Sequence, residues 1–180
     1  QHFYEPLGVN RQRAFVPDGL ADDIEAECAL YEQRIEAAGG LDLQLLGLGE
    51  DGHIGFNEPG SSLASRTRLK TLTPMTRLAN QRDFADGATP LHVLTMGVGT
   101  ILSARRVLLL AYGPKKAEAV AAMVEGPITA MCPASALQWH PACTVVLDEA
   151  AGAGLRLADY YRTVYAHKPR AARERLEGPA

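Results

Sequence analysis

The 180 residues are 47% hydrophobic and 22% charged, the size and polarity of one ordinary globular domain rather than a disordered chain. A net charge of −3 without a basic stripe excludes a nucleic-acid-binding surface. No apolar run is long enough to cross a bilayer and no signal-peptide layout opens the chain, so a cytoplasmic protein with no membrane partner is expected. Cys28, Cys132 and Cys143 match no zinc or redox spacing. With His140 they read as structural residues of a reduced protein that holds no metal.

In chain order, residues 1–17 read as irregular or short helical connection. From Asp22 to Ala38 the pattern is helical: Ile24, Cys28, Tyr31 and Ile35 recur every three or four residues, while Asp23, Glu25, Glu27, Glu32 and Glu36 face out. Asp18, Asp22 and Asp23 read as cap and first-turn charges. Gly39-Gly40 ends the helix, and the apolar run Leu41–Leu48 reads as a buried strand. Further strands are expected at Leu91–Met96, Val107–Tyr112 and Thr144–Leu147. Helical segments are expected from Gly97 to Ala104, Lys115 to Val124, Ser135 to Trp139 and Leu155 to Tyr165.

Apolar strands alternating with helices predict an α/β fold, three-layered and Rossmann-like, with a mostly parallel sheet covered on both faces. Residues 1–167 are expected to form one domain, and the Arg- and Glu-rich 168–180 a mobile tail. Ligands of such sheets bind in loops beyond the carboxyl ends of the strands, which directs attention to the loop after Leu48.

That loop, Gly47 to Pro59, brings Asp51, His53 and Glu58 within reach of one another. Carboxylates beside a histidine fix its tautomer and favour its protonated form, and one oriented imidazole can deliver and remove the two protons that open a cyclic hemiacetal. Each piece taken singly has a plainer explanation, since Asp-Gly is a common turn and a lone His is usually structural.

The segment Gly49-Glu50-Asp51-Gly52-His53-Ile54-Gly55-Phe56-Asn57-Glu58-Pro59-Gly60-Ser61-Ser62 closely resembles the signature of the glucosamine-6-phosphate deaminase family. The resemblance continues through Leu63–Leu72 and Asn80-Gln81-Arg82. It returns in Thr95–Thr100, Gly113–Ala117, Val124-Glu125-Gly126 and Ala136–Pro141. It implies conversion of glucosamine 6-phosphate and water into fructose 6-phosphate and ammonia, with no metal or organic cofactor. His53 would be the ring-opening acid–base, oriented and tuned by Asp51 and Glu58. Arg82 and Lys116 would hold the substrate phosphate, as two cations suit a dianion. Ser61, Arg68, Lys70 and Thr71 match positions that, in allosteric members, bind the activator N-acetylglucosamine 6-phosphate between subunits. Tyr160, Tyr161 and Tyr165 fall near the tyrosine those members use, without a firm match. Related enzymes often form hexamers, while others are monomers.

Family members begin with a strand, a Gly/Thr-rich phosphate loop and an aspartate that moves a proton between C2 and C1. Nothing in residues 1–40 resembles these, and the start at Gln1 reads as mid-loop. The expectation is therefore the C-terminal portion of a longer subunit, inactive by itself. A galactosamine-6-phosphate preference and a non-catalytic hexosamine-phosphate sensor stay open. A 6-phosphogluconolactonase is disfavoured because Ile54-Gly55-Phe56-Asn57-Glu58-Pro59 stands where that enzyme continues Thr-Ala-Ser-Leu-Phe-Pro.

Overall fold

Asp23 opens the first helix, α1 (Ile24–Ala37): its side chain accepts from the Ala26 N–H, and Glu25 and Glu27 occupy the first turn, where the helix dipole favours negative charge. Gly39 and Gly40, with φ of 86° and 89°, take the left-handed backbone that stops it. The structure, a computed structural model, describes residues 6, 8–81 and 89–169. The expected tail is outside the described residues from 170 onward. Of the opening segment, residues 11–13 form a short 3-10 turn.

Three strands form a parallel sheet in the order β1-β4-β5: β1 (Gln44–Gly47), β4 (Val107–Ala111) and β5 (Cys143–Leu147). Leu45 pairs with Leu108, and Leu109 with Val145. Between them lie α3 (Val98–Leu102), a 3-10 turn at Pro114–Lys116 leading into α4 (Ala117–Glu125), and a second 3-10 segment at Pro133–Trp139. Leu46, Val107, Leu109 and Ala111 point to one face and join Ile54, Ile101, Val120, Met123 and Leu137 in the core. The opposite face presents Leu45, Leu110 and Val146 at 54%, 40% and 51% exposure. The parallel α/β architecture agrees with the pattern of apolar strands and helices.

The Leu91–Met96 run does become a strand, β3 (His92–Thr95), but outside this sheet. It pairs antiparallel with β2 (Arg68–Thr71), where no strand was expected, in the register Arg68 opposite Thr95 and Thr71 opposite His92. An apolar run specifies an extended backbone without specifying its partner, so this ribbon is a product of tertiary pairing. Helix α2 (Pro74–Asn80), also unexpected, follows the ribbon with Thr73 as its cap and Pro74 in the first turn. A short helix α5 (Glu149–Gly152) precedes α6 (Ala158–Ala166), which starts later than Leu155.

Glu32 does not face solvent. The hydroxyls of Thr67 and Thr100 and the Thr67 N–H donate to its Oε1, and Arg66 pairs with it, tying α1 to the entry of β2 and to α3. Among the described residues, no helix is long and apolar enough to cross a membrane.

Candidate functional site

Strand β1 ends at Gly47, and the chain turns back through Gly49 to Gly55 at the carboxyl edge of the sheet. The turn is closed by Gly49 N–H donating to the His53 carbonyl at 2.9 Å and by Ala134 N–H donating to Gly52 O at 3.0 Å. A cavity of about 370 Å³ opens there, lined by this turn, by Met75, Thr76, Ala79 and Asn80 of α2, and by Lys116. It lies beyond the ends of β1 and β4, where parallel sheets place their ligands.

His53 and Asp51 form the core of the site. Asp51 Oδ1 lies 2.6 Å from His53 Nδ1 and also accepts the His53 N–H at 3.2 Å. Both side chains are largely buried yet reach the cavity. A carboxylate at Nδ1 holds that nitrogen protonated, leaving Nε2 as the ring nitrogen without a partner among the described residues. Gly49 makes the ring position possible. A Cβ at residue 49 would stand 2.3 Å from His53 Nδ1, far inside van der Waals contact.

Glu58 is only 4% exposed. Its carboxylate accepts from the Thr73 N–H at 3.2 and 3.3 Å, from the Thr73 hydroxyl at 2.7 Å and from the Thr76 hydroxyl. None of its hydrogen-bond partners among the described residues is His53, so direct orientation of that ring by Glu58 is not what the geometry presents. Burial pushes the Glu58 carboxyl up, as does the charge of Asp51, but the donors Thr76 and Thr73 outweigh both and hold it below the ordinary carboxylate value. The physical reason for the difference from the loop's sequence order is that α2 lies against the loop and offers three donors at once.

Asn57, fully buried, pins the loop to the ribbon. Its Nδ2 donates to Ile54 O at 2.9 Å and Met96 O at 2.8 Å, and its Oδ1 accepts from Arg68 at 2.9 Å. Phe56 N–H adds a bond to the Thr95 hydroxyl at 3.1 Å.

Of the four residues matched to an activator site, Arg68, Lys70 and Thr71 lie on β2 and Ser61 lies in the loop before it. Arg68 and Lys70 share the half-buried face of β2, whereas Thr71 is on the other face with its hydroxyl 3.2 Å from His92 Nδ1. Ser61 is buried, and its hydroxyl has no partner among the described residues. Burial pushes the Arg68 guanidinium down. Lys116 lines the cavity, whereas Arg82 lies outside the described residues.

His140 spends both ring nitrogens on the backbone: Nε2 donates to Ala104 O at 2.8 Å and Nδ1 accepts the Ala142 N–H at 3.1 Å. Among the described residues, no His, Cys, Asp and Glu cluster is arranged to hold a metal. The residues overlooked in the sequence are Thr73, Thr76 and Asn80. A Thr-Pro step before a short helical stretch was the available signal for the first two.

The family model for glucosamine-6-phosphate isomerases/6-phosphogluconolactonase matches residues 1–146. A glucosamine-6-phosphate deaminase of Streptomyces coelicolor is 61% identical over 168 residues, which cover 92% of this chain and 64% of the relative. A monomeric glucosamine-6-phosphate deaminase of solved structure is 50% identical, with a TM-score of 0.78 over 81% of this chain and 61% of that one. The 6-phosphogluconolactonase from Trypanosoma cruzi is 24% identical at a TM-score of 0.56, covering 73% of this chain and 52% of that one, a likeness of fold alone. The chain thus spans a little under two thirds of the length of the deaminases it matches.

Proposed function

Because the chain belongs to the glucosamine-6-phosphate isomerase/6-phosphogluconolactonase family, we propose that its site serves the deamination of glucosamine 6-phosphate, with water, to fructose 6-phosphate and ammonia. The observation that carries this reading is the 2.6 Å Asp51–His53 contact at the wall of a cavity that Lys116 also lines. The reading is supported by the names of relatives at 61% and 50% identity.

In this reading His53 Nε2 opens the pyranose. It takes the proton of the anomeric hydroxyl and returns one to the ring oxygen as the C1–O5 bond breaks, so no net proton is consumed. Asp51 holds the ring in the tautomer this needs and stabilises the imidazolium that forms transiently. The ionised Glu58 adds negative potential behind that pair. Lys116, with Arg82, neutralises the phosphate dianion and places C1 over the imidazole. The later transfer of a proton from C2 to C1, which precedes loss of the amine, is assigned to no residue of this chain. The 180 residues by themselves are accordingly expected not to release ammonia.

Ammonia release from glucosamine 6-phosphate by the protein its gene encodes tests the reading. Activity is expected, with His53→Gln lowering kcat/KM by about 10²- to 10⁴-fold, the usual worth of general acid–base catalysis. A folded protein that binds hexosamine phosphates and releases no ammonia would instead be a sensor. Hydrolysis of 6-phosphogluconolactone without deamination would move it to the lactonase branch.

A further inference from the structure

Two threonines beyond the loop motif hold Glu58, and only one of them is explained by the helix they belong to. Thr73 caps α2 through its hydroxyl, which accepts the Thr76 N–H at 3.3 Å. The Thr76 hydroxyl lies 3.2 Å from the Thr73 hydroxyl, from which it can accept, but its own proton goes elsewhere. It donates across 18 positions of sequence to Glu58 Oε1. Thr76 is itself 2% exposed, yet it lines the cavity alongside Met75, Ala79 and Asn80. One side chain therefore joins the wall of the cavity to the buried Glu58 carboxylate.

We propose that Thr76 is a positioning residue of the ring-opening site, locking the Glu58 carboxylate to α2 and thereby fixing both the charge behind His53 and the wall the sugar rests on. The proposal rests on the ring-opening role given to this loop above. Physically it answers a specific difficulty. Glu58 is buried and also feels the charge of Asp51, and both effects favour its protonated form. Donated hydrogen bonds hold the Glu58 carboxyl below the ordinary carboxylate value, and a neutral Glu58 would supply no potential to the imidazolium. A threonine suits the task because its methyl packs while its hydroxyl is committed to a single acceptor.

The test is Thr76→Val, close to isosteric and lacking only the donor, with Thr76→Ser as the rescue. Both are made in the protein as its gene encodes it. Two readouts are taken: the pH titration of the Glu58 carboxyl carbon by NMR in the absence of substrate, and the pH profile of kcat/KM for ammonia release. Thr76→Val is expected to move the Glu58 titration upward, to carry the acid limb of kcat/KM with it, and to lower kcat/KM at neutral pH about tenfold, the usual worth of a hydrogen bond to a charged group. Thr76→Ser is expected to restore all three. A folded Thr76→Val protein with an unmoved titration and an unmoved acid limb would reduce Thr76 to packing and overturn the proposal. If Thr76→Val does not fold, Thr76→Ala is read in the same way. Absence of ammonia release from the unsubstituted protein would sink the deaminase reading alone, because the substrate-free titration still decides the role of Thr76.

Discussion

In the β1-β4-β5 sheet the buried contacts are apolar: Leu46, Val107 and Leu109 meet Ile101, Val120 and Met123. Around the β2–β3 ribbon they are polar, with Asn57, Glu58, Thr67, Thr76, Thr95 and Thr100 all buried and hydrogen-bonded. Apolar packing is non-directional and fixes where the loop leaves the sheet, whereas hydrogen bonds are directional and fix how its side chains point. The site sits at the seam between the two regions. His53 emerges from the sheet, and its loop is then fastened to the ribbon by Asn57 and to α2 by Glu58.

That contrast can be broken or sharpened by measurement. The largest effect is expected from Gly49→Ala, whose Cβ would displace the His53 ring. Activity should fall by about 10²- to 10⁴-fold, while the urea midpoint changes little. Equal loss of activity and stability would mean that the ring position is not what the glycine protects. On the sheet side, Leu109→Ala removes a fully buried side chain and should cost about 2–5 kcal/mol in chemical denaturation. A cost near zero would remove the sheet's claim to be the core.

A smaller effect should appear as acid destabilisation. Glu58 and Glu32 are both held below the ordinary carboxylate value of 4.5, in each case because donated hydrogen bonds outweigh the opposing effect of burial. A depressed carboxyl contributes stability that is fully present above its unfolded value and is lost as pH falls through its folded one. Urea midpoints should therefore hold from neutrality down to about 4.5 and decline below it, and Glu58→Gln should flatten that decline. A midpoint independent of pH down to 3 would contradict the direction of both shifts.

The smallest effect tests the outer face of the sheet. Val146 is 51% exposed, so Val146→Thr should change stability by less than about 0.5 kcal/mol. A loss well above about 1 kcal/mol would show that Leu45, Leu110 and Val146 are covered in the folded protein.

Much of the fold could be read from local signals. Helix α1 was legible because Asp23 can cap and Gly39-Gly40 can stop within one short stretch of chain. The strands β1, β4 and β5 were legible because each is an apolar run bounded by glycine, proline or polar residues. Asp51 and His53 were legible because they lie two positions apart in a turn. The polar region was not. Glu32 looks like one more charge on an outward face until Thr100, 68 positions later, donates to it. Thr71 looks like a companion of Arg68 and Lys70 until strand alternation turns it to the other face.

The sequence by itself determined α1, the strands β1, β4 and β5, the parallel α/β class and the Asp51–His53 pair, because capping, periodicity and a two-residue spacing act within a few residues of chain. The tertiary structure alone decided that His92–Thr95 would join Arg68–Thr71, and that Glu58 would be held by Thr73 and Thr76. The reason is that a donor or a strand edge accepts many partners, and only the packing of segments distant in sequence selects one.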